Sequence, residues 1–173
     1  MQVRAGDLLV ASPGMSDEYF KDTIILIAAL DECAVAGFIL NRPTTMPASE
    51  LFDDLDDYYK NLRRRMFVGG PVDDSSLHLV ALGYYGGKEI IPGLRMGGRW
   101  ETVEEMLGSD EYENRLFLGY CGWGTAQLRN EIRSGAWLVF RNDSMIEVFN
   151  EIDNGNMPTS QSAIAILNEF ANI

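Results

Sequence analysis

Residues 119–125 read Gly119-Tyr120-Cys121-Gly122-Trp123-Gly124-Thr125, between an apolar strand-like stretch and a helix-like one, with Gln127 just beyond. Backbone N–H groups at a helix N-terminus attract anions, and glycines let a phosphate come close. The spacing is neither the dinucleotide fingerprint nor a P-loop, and no Lys follows. A tight turn with Trp123 packed on the core uses the same residues. A second segment, Asn41-Arg42-Pro43-Thr44, ends another apolar run. Arg42 could clamp a carboxylate or phosphate with its planar fork, or pair with one of the chain's own acids. Asn41, Arg42, Thr44, Gly119, Gly122, Trp123 and Gln127 are therefore the ligand-binding candidates.

Other groups point less clearly to chemistry. Gly69-Gly70-Pro71-Val72 reads as a turn, with glycine serving positive φ and proline presetting the next residue. Asp53, Asp54, Asp56 and Asp57 lack the glycine and closing glutamate of a calcium loop and suit a solvated helix face. The single histidine, His78, lies in the apolar stretch Leu77-His78-Leu79-Val80, and no Gly-x-Ser-x-Gly elbow accompanies it. Cys121 with His78 would make a thiol dyad only if the fold joined them and a positive group activated the thiol. With one histidine and no cysteine pair, a Cys-rich zinc site is excluded. No catalytic residue, metal or cofactor is assigned.

These groups need elements to hold them. Asp7 to Val10 predicts a short strand, broken by Ser12-Pro13-Gly14. Thr23 to Leu30 is a continuous apolar run, as for a strand buried on both faces. Ala34 to Leu40 looks like its neighbour, and Asp31-Glu32-Cys33 is too short for anything but an antiparallel hairpin turn. Leu51, Phe52, Leu55, Tyr58, Tyr59 and Leu62 recur at helical spacing between Ala48 and Arg65, acids leading and bases trailing as the helix dipole favours. Strands are expected at Met66 to Val68, Leu77 to Leu82, Lys88 to Ile91, Leu116 to Cys121, Ala136 to Phe140 and Ile146 to Phe149. Helices are expected at Trp100 to Leu107, Thr125 to Arg133, and Ser160 to Ala171 with an Ala163, Ile164, Leu167, Phe170 stripe. The order mixes hairpin-linked and helix-linked strands, so the expected fold is α+β: one domain over residues 1–173, with a mixed, largely antiparallel sheet flanked by helices.

Four stretches together resemble the YqgE/AlgH family of small bacterial proteins. They are Ser12-Pro13-Gly14-Met15 with Asp17, Phe20 and Thr23; Gly37 to Thr44; Gly69 to Val72; and Gly119 to Trp123 with Gln127, Leu128, Glu131 and Ile132. The resemblance runs from about Gly6 to Phe149. It implies a cytoplasmic α+β domain with no assigned catalytic residues and an indirect regulatory role. Its name records a role in alginate regulation, and some members carry the label of transcriptional regulator. The chain departs from the family at Leu30, where many members have His, at Ala34, where Gly is usual, and at Cys121, usually a small residue.

Composition bounds the partners. Fourteen Lys and Arg against 26 Asp and Glu leave a net charge of −12, and no cation follows Arg141. That field opposes direct binding to nucleic acid or anionic membrane. No run approaches the roughly 20 apolar residues of a membrane span, and the N-terminus does not read as a secretory signal. Cys33 and Cys121 are expected as free thiols in a reducing cytoplasm. Aromatic residues on predicted helices, Tyr58, Tyr59 and Trp100, suit a protein partner. Three functions follow: a non-enzymatic regulatory or protein-binding module, a small-molecule or phosphate-binding enzyme using Gly119–Thr125 with Arg42, and a DNA-binding regulator, which the charge opposes. Nothing in the sequence sets an oligomeric state.

Overall fold

The computed structural model describes residues 2–45, 66–83, 86–99, 101 and 113–171. The helix expected over residues 48–65 lies outside them, as does nearly all of the one over 100–107. Among the described residues the fold is α+β, with nine strands in one curled, largely antiparallel sheet. The strands are β1 (Leu8–Ala11), β2 (Ile24–Leu30), β3 (Ala34–Ile39), β4 (Met66–Val68), β5 (Val72–Leu82), β6 (Lys88–Ile91), β7 (Leu94–Met96), β8 (Asn114–Gly124) and β9 (Trp137–Phe140). The helices are α1 (Thr125–Arg133), α2 (Met145–Asp153) and α3 (Ser160–Ala171). The sheet order is β6-β7-β5-β8-β3-β2-β1-β9, with β4 attached to β8 beside this path.

Burial on both faces explains the continuous apolar runs. Leu8, Val10, Ile24, Leu26 and Phe38 point to one face, where Val148 and Phe149 of α2 and Ala163 and Leu167 of α3 cover them. The alternate residues Leu9, Ile25, Ile27 and Val35 point to the other, with Cys121, Trp123, Trp137 and Leu128 of α1. Strand side chains alternate, so a run must be apolar throughout when both faces are covered. The β2–β3 hairpin forms as expected. Asp31 closes it by accepting the Cys33 and Ala34 amides at 2.7 and 2.9 Å.

Three local expectations change. Residues Ile146 to Phe149, read as a strand, lie inside α2. Four residues with three apolar side chains do not separate a strand from a buried helix turn. The longer spacing Met145, Val148, Phe149, Ile152 is helical, and Asn142 Oδ1 accepts the Ser144 amide just before it. Second, Gly119 to Gly124 is not a turn. β8 runs straight through it, pairing Val35 with Trp123 and Gly37 with Cys121, and α1 begins at once. Third, Gly69-Gly70-Pro71 is a crossing. Leu116 to Leu118 of β8 pairs with β4 on one edge and β5 on the other, so the chain between β4 and β5 must pass over β8.

Candidate functional site

The Gly37–Thr44, Gly69–Val72 and Gly119–Trp123 segments meet where β4's chain crosses β8. Gly69 N donates to Leu118 O at 2.7 Å, and Gly69 O accepts from Ile39 N at 2.8 Å. The Cys121 thiol donates to the same carbonyl at 3.4 Å. At Gly70 a Cβ would lie against the Tyr120 carbonyl and 2.5 Å from Cys121 N. Gly119 adopts φ +70, and a Cβ there would stand 2.9 Å from Val72 O. Opposite this one glycine, β5 carries four residues, Asp73 to Ser76, between the pairs Val72–Tyr120 and Leu77–Leu118. Asp73 takes a left-handed φ of +45, uncommon for a residue with a Cβ. These glycines thus let two strands and a crossing segment share one volume.

Around the crossing sit the polar side chains. Arg42 donates to the Tyr19 carbonyl at 2.5 Å and stacks its guanidinium 4.8 Å from the Tyr19 ring centroid. Burial raises the Tyr19 phenol pKa, with Cys121 next in effect, while Arg42 opposes the rise. His78 packs 5.3 Å from Phe38 and edge-on to Tyr120 at 5.8 Å. Its Nε2 is buried without a hydrogen-bond partner among the described residues, and burial lowers its pKa, partly offset by Asp73. A neutral imidazole fits that environment.

Cys121 and His78 do not combine. Cys121 packs with Ile39, Trp123 and Trp137 on the α1 face. His78 pairs with Phe117, whose side chain belongs to the opposite face. Burial pushes the Cys121 thiol up to about 12 despite the charge of Arg42. It therefore stays a thiol at neutral pH, the reverse of a catalytic cysteine. Cys33 is exposed. At pH 8 a disulfide-exchange reagent should titrate one thiol rapidly in the native protein and a second only in denaturant. The Cys33→Ser variant should show no fast thiol. Rapid native labelling of Cys121 would contradict the burial described.

The other candidates are placed as follows. Asn41 Oδ1 accepts Ile24 N at 2.9 Å, while its Nδ2 donates to Asp22 O at 2.8 Å and Met157 O at 3.2 Å. Thr44 N donates to Met66 O. Trp123 is buried edge-on to Trp137 at 6.0 Å. Gln127 Oε1 accepts from Gly124 N at 3.4 Å, closing the start of α1. Gly122 is exposed on the sheet. Asn41 lines a cavity of about 640 Å³ with Pro43, Phe67, Arg115, Asp153 and Met157. Gly122, Trp123 and Gly124 line another hollow, of about 610 Å³.

Sequence reasoning passed over Arg115 and Asp153. Arg115 is 3% exposed and donates to Asp153 at 2.6 Å, to Asn114 O at 2.8 Å and to Glu113 at 3.5 Å. Its guanidinium lies 4.5 Å from the Phe149 ring centroid. An arginine directly before the apolar run Leu116 to Leu118 was the available signal, because buried charge needs partners. With two carboxylates beside it, its charge is compensated within the fold.

The motifs that converge on the crossing all fall inside residues 8–156, which match the protein-family model described as AlgH-like. The chain belongs to the AlgH-like family. Similar proteins include a UPF0301 protein of Chlorobium chlorochromatii, 35% identical over 145 residues that cover 79% of this chain and 73% of the relative. A UPF0301 protein of Streptomyces coelicolor is 32% identical over 155 residues, covering 80% and 75%. A crystal structure of a Corynebacterium diphtheriae protein superposes with a TM-score of 0.68 at 25% identity, covering 82% of this chain and 78% of that one. The solution structure of the AlgH protein from Pseudomonas aeruginosa shares the fold, with a TM-score of 0.71 at 21% identity over 100% and 94% of the two chains. In this AlgH-like chain α3 lies beyond the matched residues, yet its start is tied to them: Ser160 N donates to Asp22 Oδ1 at 2.9 Å.

Proposed function

We propose that this AlgH-like protein is a non-enzymatic, cytoplasmic binding module that acts in regulation through a protein partner. The observation that carries this reading is how the motif side chains are used. Arg42 is held on Tyr19, Asn41 on three backbone groups, and Cys121 on the Gly69 carbonyl. Meanwhile Leu138 on β9 and Ile146 on α2 stay 37% and 50% exposed. Leu138 shares with Phe140 the face of the sheet that α2 and α3 cover. These two exposed apolar side chains are the proposed points of a protein contact. The net charge of −12 favours a basic partner and opposes direct binding to DNA.

The test is recovery of a stoichiometric partner from native cytosol with tagged protein. The Leu138→Glu, Ile146→Glu double variant should lose that partner while melting within about 2 °C of the parent, since surface changes move stability little. No stoichiometric partner, or unchanged recovery by the double variant, would sink the reading. For duplex DNA at physiological salt, affinity should be no tighter than the non-specific range of about 10⁻⁴–10⁻⁶ M.

A further inference from the structure

Glycine inside a strand costs stability, so each one should have a reason, and a common reason is the close approach of another group. Gly37 has one within the fold, since a Cβ there would lie 2.6 Å from Leu26 O. Gly119 has one in its positive φ and its crowding by Val72 O. Gly124 immediately precedes α1, where glycine is a favoured helix cap. Gly122 has none among the described residues. Its φ lies outside the left-handed region, and of the described atoms a Cβ would meet Tyr120 Cε2 at 3.7 Å and Val72 Cγ2 at 3.9 Å. Both are ordinary contacts.

Gly122 is exposed and helps line the 610 Å³ hollow. Leu30, 38% exposed, and Val72 and Tyr120 add apolar surface. Among the described residues, two charged ones, Lys88 and Asp31, also line it. Asp31 Oδ1 is taken by the Cys33 and Ala34 amides, and those bonds lower its pKa, so the carboxylate stays ionised. The described lining therefore offers bare backbone at Gly122, an aromatic neighbour, an ammonium donor and a carboxylate acceptor of opposite charge.

We propose that this hollow binds an uncharged, planar heteroaromatic molecule, such as a free purine base or nucleoside. Its ring would lie on the Gly122 backbone beside Tyr120 and Leu30. A ring edge carrying both a donor and an acceptor would meet Asp31 and Lys88. The opposite charges of Lys88 and Asp31 select a neutral ligand, and the net −12 selects against anionic nucleotides and nucleic acid. This inference is independent of the protein-binding reading.

Adenosine titrated into the full chain, followed by amide NMR, tests it. The Gly122, Leu30 and Tyr120 amides should shift in a saturable manner. Gly122→Val should weaken binding by about tenfold or more, the scale of a lost stacking contact. That variant should melt no lower than the parent, because its site is open and β-branched side chains suit strands. Lys88→Met should also weaken adenosine binding, and a short poly-adenylate strand should bind no better per base than adenosine. Absent shifts at millimolar adenosine, parental affinity in Gly122→Val, or tighter binding of the oligonucleotide would overturn the proposal. So would a destabilised Gly122→Val, which would give the glycine a reason inside the fold. Unchanged recovery of a protein partner by Gly122→Val separates failure here from failure of the protein-binding reading.

Discussion

Gly70→Ala should lose at least about 3 kcal/mol of stability, at the high end of the overpacking range. For a chain of this size that lowers the melting temperature by roughly 6–12 °C, or leaves the variant insoluble. The added methyl would be driven into the Tyr120 carbonyl and within 2.5 Å of Cys121 N. Those atoms are backbone in the middle of a strand that pairs with β3, β4 and β5. They cannot swing away as a side-chain tip does. Relief requires lifting the β4–β5 crossing off β8, which would break the bonds from Gly69 to Leu118 and Ile39. Thermal melting of Gly70→Ala beside Gly122→Ala isolates the effect, since both remove a glycine and only one site is crowded. Equal melting temperatures would show that the crossing does not need its glycine.

Asn41→Ala should cost about 2–4 kcal/mol, and no small molecule should need to be present for the loss to appear. The side chain satisfies one amide and two carbonyls, from Ile24, Asp22 and Met157. Each net hydrogen bond contributes about 0.5–1.5 kcal/mol, and part-buried groups left unpaired add to the loss. The three partners belong to the start of β2, the preceding loop and the approach to α3. Asp22 sits at φ +61 and also accepts the Ser160 amide, so its position depends on the same cluster. Asn41→Asp should be no rescue, because a carboxylate keeps the acceptor for Ile24 but faces the Asp22 and Met157 carbonyls with no donor. Chemical denaturation of both variants checks this. A stable Asn41→Ala would free Asn41 for the ligand role its sequence position suggested.

Much of the architecture was readable from local pattern. The β2–β3 hairpin followed from two apolar runs separated by a link too short for a parallel crossover. The α3 stripe followed from the spacing of Ala163, Ile164, Leu167 and Phe170, of which Ala163 and Leu167 are buried. The family itself followed from glycine-rich stretches in order. Their purpose did not. Local rules assign Gly69-Gly70-Pro71 and Gly119 to Gly124 to turns, because in isolation glycine most often signals a reversal. That one segment crosses over the other is a relation between residues some fifty positions apart.

By itself the sequence determined an acidic α+β chain, its strand pairs of short span, and the membership that its ordered motifs carry. Those properties depend on composition and on neighbours along the chain. Only the tertiary structure decided that Cys121 and His78 occupy opposite faces, that Asn41 binds backbone, and that Gly70 is crowded by β8 backbone while Gly122 is not. Each of these depends on which atoms meet across the sheet, and steric exclusion and burial act through space, independent of order along the chain.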